Sequence, residues 1–501
     1  MRLISRLFRV FPSFLAWTLL FTPALLVRHD ARAFALVAAS ALVLWPLKSK
    51  RLLPWSVGLL AVIGAVDIVH VHRFGYLADD FLFATALRTN TQEMQEFITT
   101  LSPSAMLWAL IWLLICTAIG KFMTVHLRKA REQQPHTGRW LNRIAAAIWA
   151  LFLVFSVVKK MDLQEFSYAL RPIYPMHIVR AGVSQFLMQK DVFYTPEITA
   201  PKTAPLADTI VVVLGESASA ARWSLLGYTD ADTNAPLRDI EGLQATRAMA
   251  HGVTTAAALP YLLTGRSAEV SMAQRLPTFI DQAHAEGYKV FVYTNSRFNN
   301  RYEDFYSRAL RRSADVYMKV GDGALDEVLS PYLSNALADP APRKLIVMHP
   351  YGSHPSIKER YPHSIGRFDN HYDNSMLYTS MLLAQWTEMV NRHSADSAML
   401  LYTSDHGLIM PPCDNAFTTG TSRSSLEVPF VFWGNAQLQK KAPQMWQRLS
   451  TQPSTTATHS NAEMARLASE GLGYPPLPAP PLELDGKPWS SFEHANACTM
   501  Q

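Results

Sequence analysis

The chain has 501 residues, of which 49% are hydrophobic and 17% are charged, and its formal net charge is +6. This length is too great for one compact domain, and the excess of hydrophobic over charged residues is high for a soluble protein. Much of the basic excess lies beside apolar runs, which indicates membrane topology and argues against a nucleic-acid-binding protein.

Five long apolar runs lie before residue 160, at residues 11–27, 33–47, 53–71, 105–120 and 144–158. Each run is near the length that a helix needs to cross a bilayer, although the second is short. The first run has a basic start, as a cleaved signal peptide has, but the apolar runs that follow it directly favour an uncleaved span. The sequence therefore predicts an α-helical transmembrane domain of about five helices over residues 1–158.

The charges that flank these runs predict their orientation. One set of flanks carries twelve Lys and Arg residues, and the alternate set carries four. Since cytoplasmic loops are enriched in basic residues, the amino terminus is predicted to be cytoplasmic. With about five crossings, the carboxyl-terminal domain then lies outside, which in a bacterium means the periplasm.

Two further segments lie beside the predicted membrane helices. The loop at residues 72–103 is long, and its alternation of apolar and polar positions is typical of short helices on the outer leaflet, where a lipid headgroup can bind. Packing of this loop against the following domain is an equally good interpretation. Residues 159–204 form an amphipathic, aromatic-rich linker, which is typical of a hinge at the membrane surface.

Beyond residue 205 the chain has the pattern of a globular α/β protein. Strands are predicted at residues 210–214, 289–294, 345–348, 399–402 and 429–433, and helices at residues 276–287 and 374–391. This alternation predicts a mostly parallel sheet sandwiched by helices over residues 205–501.

Polar residues follow two of these strands. Glu216 comes after residues 210–214, and Asp405 and His406 come after residues 399–402. Because ligands bind outside the carboxyl ends of parallel strands, these three residues are candidate metal ligands. In isolation, Glu216 could instead cap the following helix. Oxygen and nitrogen donors together favour zinc over manganese or magnesium.

Thr254 and Thr255 stand where a loop after Gly252 turns into a predicted helix. A helix N-cap is the more common role for a threonine at such a position. Beside metal ligands, however, a threonine hydroxyl can become a nucleophile, since coordination to a divalent cation lowers its pKa. A phosphate at this place would also meet free backbone N–H groups of the helix. The pattern alone leaves open which threonine has this role.

Other polar residues follow the remaining strands. Asn295 comes after residues 289–294 and is a further candidate for substrate binding, and His349 and His354 come after residues 345–348. Either histidine could contact a second metal, a transferred phosphate or a leaving group, although a lone histidine is more often structural.

The three cysteines do not form a metal-binding motif. Cys116 lies in an apolar run, where a cysteine usually serves as a small packing residue. Cys413 and Cys498 could form one disulfide in an oxidising compartment.

Six short motifs occur in order along the chain: Gly215-Glu-Ser217, Ser224-Leu-Leu-Gly-Tyr228, Gly252-Val-Thr-Thr255, Tyr351-Gly-Ser-His354, Tyr372-Asp-Asn374 and Ser404-Asp-His-Gly407. Each motif is weak alone, but their order and number make the set specific. The chain resembles, over nearly its whole length, the phosphoethanolamine transferases of Gram-negative inner membranes, which belong to the alkaline phosphatase and sulfatase superfamily.

The resemblance implies a ping-pong transfer through a phospho-threonine enzyme. Phosphoethanolamine passes from phosphatidylethanolamine to the nucleophile, with release of diacylglycerol, and then to lipid A, a core sugar of lipopolysaccharide or a periplasmic glycan. We therefore expect membrane lipids as partners, no nucleic acid, and a monomeric protein of the inner membrane.

The same resemblance implies roles for individual residues. Thr255 matches the nucleophile, and His354 would contact the phosphate. The implied zinc ligands are Glu216, Thr255, Asp405 and His406. Residues Thr89, Asn90 and Glu93 resemble the outer-loop motif of the family near the donor headgroup.

The chain departs from the family pattern at two places. His251 and Tyr261 stand where the family has cysteines beside its nucleophile, so that disulfide is missing. Thr418-Thr-Gly420 stands where the family has another histidine after its Asp-His-Gly motif, so we expect one zinc site and leave a second open.

Two other functions stay open. A phosphoglycerol transferase shares the architecture and differs in its lipid donor. A catalytically inactive membrane protein that binds lipid or a partner is compatible with the missing histidine, but such a protein has no need of the combined metal ligands and threonine. The acceptor cannot be read from loop residues, because these carry no general code.

Overall fold

The chain divides into two compact units, one with the apolar amino-terminal helices and one with the residues from Met188 onward. The computed structural model describes residues 2–74, 77–78, 82, 94–95, 98, 101–133, 139–191, 193–201, 203–295, 305–321, 324–394, 396–413, 417, 420–445, 457–475, 480–484 and 487–489.

Helices make up the first unit, and each of the five predicted apolar runs lies in or overlaps one of them. They are α1 (Arg2–Leu19), α2 (Ala31–Val43), α3 (Leu53–Phe74), α4 (Pro103–Gln133), α5 (Arg139–Val158), α6 (Leu163–Leu170) and α7 (Met176–Asp191). Within the described part of the chain, α3, α4 and α5 are long and apolar enough to cross a bilayer. A helical membrane region is thus confirmed, whereas the number of crossings stays a prediction, because α2 has only 13 residues.

Tryptophan side chains bind backbone carbonyls at the end of the short helix α2. Trp17 of α1 donates its indole N–H to Ala41 O at 3.0 Å, and Trp149 of α5 donates to Val43 O at 3.2 Å. The last four carbonyls of an α-helix have no partner within the helix, and a bilayer offers no water to replace one. The two indoles therefore allow α2 to end among apolar neighbours.

A buried carboxylate fixes two other segments of this unit on α3. Asp67 is 0% exposed. Its Oδ2 accepts a hydrogen bond from the Tyr174 hydroxyl at 2.8 Å, and its Oδ1 accepts one from Ala78 N at 3.1 Å and lies 3.2 Å from His177 Nε2. A carboxylate inside a membrane helix is costly unless donors surround it, so these contacts make Asp67 the junction between α3, the start of α7 and the residues after α3.

We expect Asp67→Ala to lower the melting temperature of the full-length protein in detergent more than Tyr174→Phe does. Asp67→Ala leaves several buried groups without their acceptor, and each unsatisfied buried donor costs about 1–3 kcal/mol. Tyr174→Phe removes one hydroxyl and keeps the other partners of Asp67 in place. Tryptophan fluorescence during heating measures both melting temperatures. Equal melting temperatures of the two variants would contradict this role for Asp67.

The second unit is built on an eight-stranded sheet with the strand order β4-β3-β5-β1-β6-β7-β2-β8. Its strands are β1 (Thr209–Gly215), β2 (Leu243–Met249), β3 (Lys289–Thr294), β4 (Val316–Lys319), β5 (Lys344–His349), β6 (Ala398–Ser404), β7 (Glu427–Gly434) and β8 (His459–Ser460), and a separate pair is β9 (Glu483–Leu484) with β10 (Lys487–Pro488). The five neighbouring strands β4, β3, β5, β1 and β6 are parallel to one another. Strand β7 is antiparallel to both of its neighbours, β6 and β2. The predicted mostly parallel sheet is confirmed.

Helices cover both faces of the sheet. They are α8 (Thr255–Thr264), α9 (Ala268–Ala273), α10 (Phe279–Ala285), α11 (Phe305–Arg311), α12 (Ser330–Ala338), α13 (His371–His393), α14 (Arg423–Leu426), α15 (Ala436–Lys441) and α16 (Glu463–Gly471). Alternate residues of β1 point to opposite faces, so Val212 packs in one core with α8, α10 and α16, and Val213 packs in the other with α12 and α13. This two-sided burial explains why β1 is apolar throughout.

The two predicted helices are present with different ends. The helix predicted at residues 276–287 is α10, which begins after Thr278 because Thr278 and Asp281 form a capping box. The helix predicted at residues 374–391 is α13, which begins earlier because Asn370 caps Tyr372 N at 2.8 Å.

Candidate active site

Two neighbouring strands of the sheet place the acidic candidate ligands side by side. Strands β1 and β6 are parallel, and Gly215 is in register with Ser404, so Glu216 and Asp405 are the next residue of each strand end. Gly215 permits a close approach, since a side-chain carbon there would lie 2.6 Å from the Tyr402 ring. The register brings the two strand ends to one place, and the prediction that they supply metal ligands stays a prediction.

Glu216, Asp405 and His406 form a cluster that could hold a metal ion. One candidate donor atom from each residue lies within 4.8 Å of the other two. The three residues are 6%, 0% and 3% exposed. Ser217 turns the chain after Glu216 with φ of 57°, an unusual conformation for a residue other than glycine that is common at functional sites.

Hydrogen bonds assign the proton on the His406 ring. His406 Nδ1 lies 2.8 Å from Gly407 O, and a carbonyl only accepts, so Nδ1 carries the hydrogen. The second ring nitrogen, Nε2, faces Glu216 Oε1 at 3.4 Å and Asp405 Oδ2 at 3.5 Å. A lone pair between two carboxylates is unfavourable, so the arrangement needs a proton on Nε2 or on one carboxylate, or a cation between the three groups.

The electrostatics of the cluster favour a cation. Burial and the nearby charge of Asp405 raise the pKa of Glu216, and these effects exceed the opposing influence of His406, His354 and Ser217. Burial lowers the pKa of His406, but Asp405 and Glu216 outweigh it and raise the pKa overall. Among the residues that the structure describes, Asp405 Oδ2 finds no hydrogen-bond donor. A divalent ion would replace the protons, and this donor set fits zinc.

The hydroxyl of Thr255 belongs to the same cluster. Helix α8 begins at Thr255, and Thr255 Oγ1 donates to Glu216 Oε2 at 3.0 Å. Thr254 occupies the N-cap position, as the N-cap interpretation predicts, but its side chain makes no capping hydrogen bond. Gly252 lets the loop fold tightly, since a side-chain carbon there would lie 2.5 Å from Ala257 Cβ. Of the two threonines, Thr255 is the one bonded to the cluster.

The loop after β5 packs on the backbone of Glu216 and carries His354. Ser353 N donates to Glu216 O at 3.0 Å, and a side-chain carbon at Gly352 would lie 2.5 Å from the same oxygen. The His354 ring stacks on Tyr351, with the ring centroids 4.8 Å apart. Burial lowers the pKa of His354 to about 4, so the ring is neutral at neutral pH. The phosphate contact of His354 stays a prediction.

Asn295, a further predicted substrate residue, makes its hydrogen bonds outside the cluster. Asn295 is 0% exposed, and its amide nitrogen donates to Asp326 Oδ1 and to Ala324 O, each at 2.7 Å. The structure therefore does not bring Asn295 to the cluster, and its substrate contact stays a prediction. Thr89, Asn90 and Glu93 lie outside the described residues.

Sequence reasoning missed two residues that hold the strand ends in place. The Tyr372 hydroxyl donates to Ser217 O at 2.6 Å and accepts from Ser219 N at 2.8 Å. The Asp326 carboxylate accepts three hydrogen bonds in a buried position. The sequence pointed to Tyr372 only because this residue lies in one of the six motifs. It did not point to Asp326, because Asp326 follows no apolar strand.

His251 and Tyr261, which stand where the family pattern has two cysteines, bring their aromatic rings into contact. The rings of His251 and Tyr261 stack with centroids 4.4 Å apart, and His251 Nε2 lies 2.7 Å from Ser460 Oγ. This pair joins the loop before Thr255 to α8 without a covalent bond. Elsewhere, Cys413 is disulfide-bonded, and its predicted partner Cys498 lies outside the described residues, as do Thr418 and Thr419.

Comparisons with known proteins agree with this fold. Residues 208–463, slightly more than half of the chain, match the sulfatase family. Phosphoethanolamine transferase EptC of Escherichia coli K12 is 26% identical over 272 residues, a match that covers 47% of this chain and 46% of EptC. The chain thus spans about half the length of that relative. Phosphatidylethanolamine transferase Mcr-1 of Escherichia coli is 24% identical over 445 residues, covering 76% of this chain and 78% of Mcr-1.

A solved structure is similar over nearly the whole chain. It is the integral membrane protein EptA of Neisseria meningitidis, a lipooligosaccharide phosphoethanolamine transferase. The match has a TM-score of 0.58 with 15% identity and covers 93% of this chain and 95% of EptA. At this identity the similarity shows the fold, in which apolar amino-terminal helices accompany a carboxyl-terminal α/β domain.

Acid should weaken the loop before Thr255. Burial, with a smaller effect of Arg266, lowers the pKa of His251 to about 4, whereas an exposed histidine titrates near 6.5. The unfolded chain therefore binds the proton first as pH falls, and stability present above about pH 6.5 is lost between about pH 6.5 and 4, by at most about 3 kcal/mol.

We expect His251→Phe to lose less stability than the wild-type protein between pH 7 and pH 5. The variant keeps an aromatic ring against Tyr261 but has no group to titrate. Melting temperatures of both full-length proteins in detergent measure the difference, because the other buried histidines contribute to both. The same loss in both proteins would contradict a partly buried, neutral His251.

Proposed function

Because the chain belongs to the sulfatase family and has named phosphoethanolamine transferases among its relatives, we propose that it transfers phosphoethanolamine from phosphatidylethanolamine to an acceptor of the cell envelope. The observation that carries this proposal is the hydrogen bond from Thr255 Oγ1 to Glu216 inside the Glu216, Asp405 and His406 cluster. A hydroxyl in such a cluster is suited to attack a phosphodiester.

Zinc is the proposed cofactor. Glu216, Asp405 and His406 would hold it, together with the oxygen of Thr255, because these residues offer oxygen and nitrogen donors and Asp405 Oδ2 lacks a donor among the described residues. When bound, zinc would lower the pKa of the threonine hydroxyl and neutralise charge on the phosphate. We propose one zinc ion and leave a second site open, since Thr418-Thr-Gly420 replaces the expected histidine.

In the first step, the oxygen of Thr255 forms a bond to the phosphorus of phosphatidylethanolamine. The hydroxyl proton moves toward Glu216 Oε2, which already accepts it at an oxygen–oxygen distance of 3.0 Å. The bond between phosphorus and the glycerol oxygen breaks, and the proton accepted by Glu216 passes on to that oxygen as diacylglycerol leaves. His354, on the loop that packs against Glu216, would bind an oxygen of the transferred group.

In the second step, a hydroxyl of the acceptor attacks the phosphorus and gives its proton to Glu216. The bond from phosphorus to the Thr255 oxygen breaks, and Glu216 passes that proton to the threonine oxygen. The products are the phosphoethanolamine-modified acceptor and the starting enzyme, so the two steps together consume one donor and one acceptor. We propose lipid A, a lipopolysaccharide core sugar or a periplasmic glycan as acceptor.

Membrane placement would bring the site to its lipid donor. We propose residues 1–158 as the transmembrane domain, 159–204 as the linker and 205–501 as the catalytic domain. Three helices of sufficient length and the excess of basic residues on one set of flanks support a multi-pass inner-membrane protein with a cytoplasmic amino terminus and a periplasmic catalytic domain. Thr89, Asn90 and Glu93 would lie near the donor headgroup, and the protein would act as a monomer.

Incubation of the full-length protein with phosphatidylethanolamine and zinc should produce a covalent adduct on Thr255. Phosphoethanolamine transfer adds about 123 Da by composition, which intact-mass spectrometry resolves. We expect the adduct on the wild-type protein and its absence from Thr255→Ala. Peptide mapping would then place it on Thr255.

Thr254→Ala is the matched control, because it also replaces a threonine by alanine and so removes a hydroxyl. The Thr254 side chain makes no capping hydrogen bond with α8 that this substitution would break. The variant should keep the adduct. An adduct on Thr255→Ala but not on Thr254→Ala would reverse the assignment. Zinc-loaded wild-type protein that leaves the donor intact would favour a different lipid donor or an inactive homologue.

Metal analysis tests the cofactor separately. The purified wild-type protein should contain about one zinc ion per chain, and His406→Phe should contain much less, because it removes the nitrogen ligand. His251→Phe makes the same substitution outside the cluster and should keep the zinc. Equal zinc contents in the two variants, measured by mass spectrometry of the digested protein, would exclude His406 as a ligand.

A further inference from the structure

We propose that Asp326 is a positioning residue that fixes the loop at residues 350–354 against the metal ligand Glu216. The inference rests on the proposed function, because it concerns how the chain prepares the same site. Asp326 lies in a short 3-10 helix, Asp326–Leu329, and is 5% exposed. It has no part in the proposed reaction steps.

The carboxylate of Asp326 receives the loop through two backbone N–H groups. Oδ1 accepts from Tyr351 N at 2.6 Å, and Oδ2 accepts from Gly352 N at 2.8 Å. A third donor, the amide nitrogen of Asn295, lies 2.7 Å from Oδ1. Hydrogen bonds to a charged acceptor are stronger than those between neutral groups, and both loop bonds fix backbone and not side chain.

The residues that Asp326 holds are those that contact Glu216. Gly352 has φ of 56°, and a side-chain carbon there would lie 2.5 Å from Glu216 O and 2.9 Å from Glu216 Cβ. The next residue, Ser353, donates its N–H to Glu216 O at 3.0 Å. A shift of this loop would therefore move the backbone that aims the Glu216 carboxylate, or would leave that backbone unsupported.

The same loop orients His354. The ring of Tyr351 lies between the Arg360 guanidinium, 4.4 Å from its centroid, and the ring of His354, 4.8 Å away. Because Asp326 binds Tyr351 N, it fixes the start of this stack as well. One carboxylate thus sets a metal ligand and the predicted phosphate contact relative to each other, as supporting groups do around metal sites.

Only a carboxylate accepts all three donors. An asparagine has one acceptor oxygen and an NH2 group, which would face a backbone N–H and could not bond to it. Asp326→Asn should therefore release one side of the loop while changing the shape of the side chain little. The expected effect is a loss of precision at Glu216, not a loss of the fold.

The test compares three full-length proteins in detergent: wild type, Asp326→Asn and Asp281→Asn. Asp281 is also buried and also accepts a backbone N–H, from Thr278 at 2.8 Å, but it belongs to the capping box of α10. Its side-chain partners among the described residues are Thr278, Arg312 and Ser313, which lie outside the site. The measurements are the melting temperature, the zinc Kd by competition with a chromophoric chelator, and kcat and KM for release of diacylglycerol from phosphatidylethanolamine in mixed micelles.

We expect Asp326→Asn to raise the zinc Kd by about tenfold to a hundredfold and to lower kcat by at least about tenfold, with little change in KM. Asp281→Asn should lower the melting temperature without changing the zinc Kd of the folded protein. An unchanged zinc Kd and kcat in folded Asp326→Asn would overturn the proposal. Equal zinc Kd changes in both variants would also overturn it, because general destabilisation would then suffice.

The double variant Asn295→Asp with Asp326→Asn separates two roles of the carboxylate. It restores a hydrogen bond between these two side chains but not the second acceptor for the loop. We expect it to stay as defective as Asp326→Asn. Recovery of wild-type zinc Kd would show that the pairing with Asn295 is what matters and would overturn the proposed role of the loop bonds.

Gly352→Ala covers the case in which Asp326→Asn does not fold. It keeps Asp326 but forces the loop away from Glu216, so it should also weaken zinc binding by at least about tenfold. Wild-type zinc binding by Gly352→Ala would contradict the proposal. If zinc binding responds as expected but no protein releases diacylglycerol, the proposed transferase function fails while the role of Asp326 stands.

Discussion

Glu216 and Asp405 lie side by side at the ends of two adjacent parallel strands, and the repulsion between their buried carboxylates governs the chemistry of the site. Burial alone favours the protonated form of Glu216, and the neighbouring charge of Asp405 adds to this effect. His406 brings a ring nitrogen within 3.5 Å of both carboxylates, and its other nitrogen is committed to Gly407 O. A cation between these groups would stabilise all three in their unprotonated forms, and the Thr255 hydroxyl is already bonded to Glu216.

The surrounding structure keeps these groups close in spite of their repulsion. Close packing at Gly215 and the left-handed turn at Ser217 bring the end of β1 to the end of β6. The Tyr372 hydroxyl binds the backbone on both sides of Ala218, and the loop held by Asp326 packs on Glu216 from another direction. A candidate site built in this way depends on residues outside the cluster as well as on the cluster itself.

The sequence predicted the parts of the structure that depend on local pattern. Apolar runs marked the central strands because both faces of the sheet are covered, and the strand-end rule then found Glu216, Asp405 and His406. The sequence did not reveal strand β2, because only three of its seven residues are buried and its pattern of apolar residues is weak. It gave no sign of Asp326, whose partners Tyr351 and Gly352 are distant in sequence. Asn295 follows a strand, as a ligand would, but its contacts with Asp326 and Ala324 depend on tertiary structure.

Anomalous diffraction at the zinc absorption edge, from crystals of the full-length protein grown with zinc, would test directly whether the cluster binds a metal. We expect one strong peak about 2.0–2.2 Å from carboxylate oxygens of Glu216 and Asp405 and from His406 Nε2, with the Thr255 oxygen beside it. A zinc-saturated crystal with no peak there, and with His406 Nε2 still facing the two carboxylates directly, would contradict the proposed metal site. The cluster would then be a proton-stabilised structural feature and not a metal centre.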